Sequence, residues 1–299
     1  MKKTLLLTDG DEIVYKAGFA SQSVSYNIVD LHGNVLLTAP NKTTAYELLG
    51  NHEDETLELV KVVTPKGEDV ARHALYAVMN TVLADTNPTD YRLYMTGDGN
   101  FRYDIATCLP YKGHRGPEAR PYYYDFIRHL LHEEYWAITV DGIEADDALS
   151  ITQWHHERND TNWTTIIGSQ DKDLNMVPGK HYNPSTRESY ELTWQDARFN
   201  FYVQLLTGDS VDNIPGIYRI GKATAEKMLR SKKNKSNAEI YDVVFKAYIK
   251  AQENPVTREK MPGDKWGEDR IKEIGRLLWM LQEKYQLWNP GEDYYAGLK

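Results

Sequence analysis

Thr4-Leu5-Leu6-Leu7-Thr8-Asp9-Gly10 is the stretch whose reading decides the fold. Three successive leucines show no polar alternation, which is the mark of a strand covered on both faces. The run then stops on an acid. Asp9 and Asp11 cut the apolar segment short, so a buried first strand fits better than a secretory leader. The same grammar recurs down the chain. Tyr91–Met95 reads as a strand that delivers Asp98, and Ala137–Val140 precedes Glu144-Ala145-Asp146-Asp147. Thr164–Ile167 precedes Ser169-Gln170-Asp171-Lys172-Asp173. Helical patterns lie between them at Glu12 to Ala20, Val70–Leu83, Tyr122 to Glu134 and Ala145 to Trp154. Strands alternating with helices imply an α/β fold, with a mainly parallel central sheet and helices on both faces. Ligands in such sheets bind beyond the carboxyl ends of the strands. Four separate segments therefore aim acid at one edge.

The remaining segments fill in around this plan. Tyr26–Val29, Val35–Thr38 and Leu57–Val63 read as strands, with His32-Gly33-Asn34 as a hairpin turn. His181–Asn183 and Ser189–Leu192 form a second hairpin around Pro184-Ser185-Thr186. Residues 100–121 are polar, aromatic and basic. Beyond Asp196 the pattern is helical to the end, and there is no internal repeat.

Composition bounds the chemistry. The chain has 299 residues, 41% of them apolar, which suits a globule with a proper core, and no apolar run is long enough to span a bilayer. Its one cysteine, Cys108, excludes an internal disulfide and a cysteine-rich zinc site and fits the cytoplasm. The net charge of −9 argues at first against a nucleic-acid partner. However, nine of the 44 acidic residues are the clustered ones, and the other 35 balance 35 Lys plus Arg. Distribution governs binding more than the total does.

Those nine are Asp9, Asp98, Glu144, Asp146, Asp147, Asp171, Asp173, Asp209 and Asp212, with Asp11 a candidate tenth. Gathered carboxylates repel one another unless cations neutralise them. Oxygen-only ligands suit magnesium or manganese. Each cluster also has a plainer reading. Asp146 and Asp147 suit the first turn of a helix, Asp171-Lys172-Asp173 a capped polar turn, and Asp209 and Asp212 a cap after Gly208. Capping does not explain why they fall at successive strand ends. Other motifs are absent: there is no HExxH, no GxxxxGK[ST], no GxSxG and no complete EF-hand loop.

Two further elements point to phosphate. Tyr111-Lys112-Gly113-His114-Arg115, flanked by Arg102 and Arg120 and by Tyr122-Tyr123-Tyr124, mixes cations with aromatics, the usual means of gripping single strands. Its plain reading is a solvated loop. Gly208-Asp209-Ser210-Val211-Asp212-Asn213-Ile214-Pro215-Gly216 is followed by Ile220-Gly221-Lys222-Ala223-Thr224. A helix, a glycine turn and a second helix would offer backbone amides and a lysine to a phosphate.

Taken together and in order from Leu5 to about Leu229, these motifs resemble the 5′-nuclease superfamily of flap endonucleases and 5′→3′ exonucleases, above all its bacterial and bacteriophage members. The matching pieces are Asp9-Gly10, Asp98, the Tyr-Lys-x-x-Arg arch motif at Tyr111 to Arg115, Glu144 to Asp147, Ser169 to Asp173, and Gly208 to Gly216. Two features depart from the pattern. Arg219 stands where the helix–hairpin–helix normally has glycine, and residues 22–65 have no counterpart.

The resemblance implies a single PIN-like nuclease domain over 1–299. Residues 22–65 would be an added lobe, 100–134 a helical arch, 200–230 the helix–hairpin–helix and 231–299 a helical tail. It implies a two-metal phosphodiesterase acting on DNA, as exonuclease and as structure-specific flap endonuclease. Asp9, Asp98, Glu144, Asp146 and Asp147 would hold one magnesium ion, and Asp171, Asp173, Asp209 and Asp212 the other, with manganese as a substitute. Lys112 and Arg115, with Asp9, Asp147 and Asp171, would carry catalysis. Arg102, Tyr111, Lys112, Arg115, Arg120, Gly216, Arg219, Gly221, Lys222 and Thr224 would contact DNA, with a potassium ion at the hairpin. RNA in hybrids, a replicative polymerase and a single-strand-binding protein are the further expected partners of a monomer. The rival expectations are a PIN-like or hybrid-specific ribonuclease, and an inactive DNA-structure-binding protein.

Overall fold

Leu5, Leu6 and Leu7 can all be buried only if the strand carrying them is covered on both faces, and they are 3%, 0% and 0% exposed. The computed structural model describes residues 3–50, 57–114, 120–159 and 162–296. In chain order the regular elements are β1 (Lys3–Asp9), α1 (Gly10–Ala20), β2 (Gln22–Asp30), β3 (Val35–Ala39), α2 (Lys42–Leu49), β4 (Leu57–Pro65) and α3 (Glu68–Thr86). Then come β5 (Asp90–Thr96), α4 (Phe101–Ile105), α5 (Tyr124–Tyr135), β6 (Ile138–Val140), α6 (Ala145–Arg158) and β7 (Trp163–Gly168). The rest are β8 (Gly179–Asn183), β9 (Glu188–Leu192), α7 (Trp194–Thr207), α8 (Lys222–Leu229), α9 (Asn237–Glu253), α10 (Pro255–Lys260) and α11 (Gly267–Leu278).

The chain divides into two compact units. The first is Met1–Gly10, Val82–Glu118 and Trp136–Lys299. Its six-stranded sheet has the order β6-β5-β1-β7-β8-β9. Every pairing is parallel except β8 with β9, which is antiparallel because a tight turn joins them. One face carries Leu5, Leu7 and Ile167 into a large core with Leu149, Trp154, Phe201, Ile274 and Trp279. The other face packs Leu6 against Val82 and Tyr182. Burying each such leucine contributes about 2 kcal/mol. The sheet is therefore clad on both faces, as the strand pattern required.

The second unit is Asp11–Thr81 with Ala119–Tyr135. It is built on an antiparallel sheet of order β3-β2-β4. The hairpin between β2 and β3 turns at Gly33, with φ +79, and the Asp30 carboxylate accepts the His32 and Asn34 amides. The three strands expected between residues 22 and 65 are thus present, and α2 is added between them. Helix α5 buries Ile127, Leu130 and Leu131.

Two expectations change. No helix forms among the described residues 106–123; Tyr111 to His114 are turns, and residues 115–119, with Arg115, lie outside the described residues. The helical pattern also stops at Leu278, because the following Trp279 to Ala296 pack as irregular chain. Among the described residues, no helix is long and apolar enough to cross a membrane.

Candidate active site

The sheet places the acids as its topology dictates. Asp9 closes β1 and is buried. Glu144 is the N-cap of α6, so Asp146 and Asp147 occupy its first turn. Asp171 lies just past β7 and caps the short turn that follows, accepting the Asp173 amide at 2.8 Å. Asp209 and Asp212 sit on the loop between α7 and α8, where Gly208–Asp209 pairs with Ile214–Pro215. The capping readings are therefore realised, and they coexist with the clustering.

One part of the cluster centres on Tyr111. Its hydroxyl donates towards Glu144 Oε2 at 3.0 Å and Asp212 Oδ2 at 2.8 Å, bridging two acids 68 positions apart in sequence. Lys112 Nζ lies 2.5 Å from Glu144 Oε1 and 3.9 Å from Asp212 Oδ1. Burial pushes the Glu144 carboxyl up, but Arg102 and Lys112 outweigh it and hold the group below the usual carboxylate range. The Lys112 amide also donates to the Asp212 carbonyl, and Asn213 Nδ2 donates to the Pro110 carbonyl. The basic loop is tied to the Asp209–Asp212 loop by backbone as well as by charge.

The other part is Asp171, Asp173 and Asp209. Lys172 Nζ is 2.6 Å from Asp209 Oδ2 and 4.0 Å from Asp173 Oδ1, and Gln204 Nε2 donates to Asp173. Burial, then the charges of Asp171 and Asp209, push Asp173 up to about 7. Asp171 is raised by burial and by Asp212 and Asp209. These acids are under-neutralised, and an oxygen-only donor set with surplus negative charge fits a hard divalent ion. As placed, though, no group of three or more Asp, Glu, His or Cys among the described residues converges closely enough to hold one. Lysine, glutamine and tyrosine side chains engage these carboxylates instead.

Three assignments read from sequence need correcting. Asp147 is fully buried, and both its oxygens are engaged, by Arg102 Nη1 at 2.6 Å and Nη2 at 2.9 Å and by the Glu144 and Leu281 amides. It props Glu144 rather than offering a free oxygen to an ion. Arg102 is likewise buried, donating also to the Leu277 and Trp279 carbonyls, so it cannot reach DNA. The Tyr111 ring belongs to the core, so it is no stacking platform. Asp98 is exposed and donates its amide to Asp141; no described contact joins its carboxylate to the cluster. Asp11 pairs with Arg128 in the second unit. There, Arg120 lies over the Tyr124 ring, and Tyr122 is 63% exposed.

No protein-family model matches the chain. The chain is similar in sequence to bacterial DNA polymerase I. It is 26% identical over 250 residues to the DNA polymerase I of Bacillus caldotenax, covering 77% of this chain and 24% of that one. The DNA polymerase I of Streptococcus pneumoniae is 28% identical over 247 residues, covering 76% and 24%. The chain thus spans about a quarter of the length of the curated relatives it matches. Among solved structures, the bacteriophage T5 flap endonuclease with DNA and metal ions is 17% identical, at a TM-score of 0.49 over 92% of this chain and 86% of that one.

Helices α7 and α8 flank the segment that carries Arg219. Arg219 takes φ +65, a left-handed backbone that glycine adopts freely. The Ile220 amide closes the turn onto Ile217. Gly221 caps α8 without a side chain, and Lys222 beside it is 82% exposed. Sequence reasoning passed over Lys172 and Gln204. Lys172 lay in plain view between two acids, whereas Gln204 carried no signal beyond its helical spacing before Asp209.

Proposed function

We propose that this chain is a divalent-metal-dependent 5′→3′ nuclease acting on DNA, with exonuclease and flap endonuclease activity. The observation that carries this reading is the linkage of acids from three segments with the basic loop. Tyr111 and Lys112 join Glu144 to Asp212, and Asp212 raises Asp171 beside Asp173 and Asp209. Gathering these carboxylates costs stability unless cations neutralise them.

Glu144, Asp146, Asp171, Asp173, Asp209 and Asp212, with Asp9 and Asp98, are the residues that would hold magnesium or manganese, once their present partners give way. When bound, such ions supply a water nucleophile at neutral pH and charge for the leaving oxygen. Lys112, released from Glu144, would pair with the scissile phosphate, and Arg115 would do the same from the same motif. Positioned charge of that kind is worth about 3 kcal/mol of barrier. The hairpin at Gly216 to Thr224, with Arg219 and Lys222, would hold duplex backbone without reading sequence, with or without a potassium ion. Arg120 would meet the unpaired strand. The similarity to DNA polymerase I favours a place in DNA replication or repair, beside a polymerase. Rates on flap, nicked, blunt and RNA–DNA hybrid duplexes test the substrate assignment. Preference for 5′-flap or nicked DNA supports it, and cleavage confined to RNA would overturn it.

A further inference from the structure

The counter-charge of the acidic cluster is unevenly built. Asp147 faces Arg102, which is wholly buried and cannot leave. Asp209 is different. Its side chain is 1% exposed, yet its partner Lys172 is 59% exposed, on a stem free to swing into water. Asp209 is also locked from the other side, since its Oδ1 accepts the Val211 amide at 2.7 Å and lies 3.4 Å from that of Asp212. The carboxylate is therefore fixed and the ammonium is mobile. Lys172 sits between Asp171 and Asp173 in sequence and stays within 4.0 Å of Asp173, so a single ammonium serves both acids.

We infer that Lys172 is a displaceable internal counter-cation, which holds Asp209 and Asp173 together in the metal-free protein and gives way when a divalent ion binds there. The inference rests on the metal-dependent reading proposed above. A buried acid left without any cation repels its neighbours, so the ammonium preserves the loop geometry that the ion needs. It also competes with that ion, because both seek the same Asp209 oxygen. Lys172 is then a positioning residue that sets metal affinity.

Magnesium chloride titrated calorimetrically into the full chain, with thermal unfolding in parallel, tests this. Lys172→Met should bind magnesium about three- to tenfold more tightly than the parent, because nothing must be displaced. Its metal-free Tm should fall, and the Tm gained on adding magnesium should grow. Lys172→Arg, which keeps the charge, should stay near the parent. Lys246→Met removes an exposed lysine whose partner is Asp242 on the same helix, so it should leave both readouts unchanged. Unchanged or weaker magnesium binding by Lys172→Met would overturn the inference, as would Lys172→Arg binding as tightly as Lys172→Met. A parent that binds no magnesium overturns it together with the metal-dependent reading, whereas the first two results leave that reading standing.

Discussion

Arg102 and Asp147 form a two-pronged ion pair with neither side chain exposed to solvent. The guanidinium also reaches the Leu277 and Trp279 carbonyls, so it joins α4, α6, the end of α11 and the chain just beyond it. Asp147 passes this rigidity to Glu144 by accepting its amide. Removing one partner strands a buried charge, so Arg102→Ala should cost about 3–5 kcal/mol in urea unfolding. Asp147→Asn should lower metal-free stability too. An Asp147→Asn protein with parental stability but no magnesium binding would restore Asp147 as a ligand.

Lys112 touches the acids it is expected to leave during catalysis. Lys112→Ala should therefore lower single-turnover cleavage of a flap substrate by about 100-fold, with duplex affinity little changed. Unchanged turnover refutes its assignment.

The Tyr111 hydroxyl is hydrogen-bonded to both Glu144 and Asp212. Tyr111→Phe keeps the buried ring and deletes the bridge. Stability should fall by only about 1 kcal/mol. Magnesium affinity should change more than stability does, read by calorimetry beside denaturant unfolding; the reverse ranking would show that the hydroxyl serves packing alone.

The pH dependence follows from Asp173, raised from 3.8 to about 7 chiefly by burial and then by Asp171 and Asp209. Between these values the folded chain holds a proton that the unfolded chain has released. Stability of the metal-free protein should therefore fall as pH rises from about 4 to 7 through this group, and level off above. Magnesium competes with that proton, so its apparent affinity should climb from pH 6 to pH 8. Flat affinity across that range contradicts the assignment of Asp173.

Much of the frame was legible because its signals are local. Leu5 to Leu7 demanded burial on both faces, and Asp9, Glu144 and Asp171 followed their strands as the parallel sheet required. What misled was the chemistry of neighbours distant in sequence. Nothing around Arg102 announces that Asp147, 45 positions on, will take its charge into the core. Tyr111 reads as a surface aromatic until Glu144 and Asp212 claim its hydroxyl. The pattern beyond Asp196 reads as helix to the end, yet Trp279 and Trp288 are core anchors on irregular chain. Local pattern sets secondary structure, whereas partner choice is settled by packing.

The central claim is that these acids serve phosphodiester hydrolysis through a divalent ion. Cleavage of a 5′-labelled flap duplex, followed in magnesium and again after chelation, tests it most directly. The account predicts release of short labelled products in magnesium, none after chelation, and recovery when magnesium is restored. An intact substrate in magnesium, or cleavage indifferent to the chelator, would contradict it.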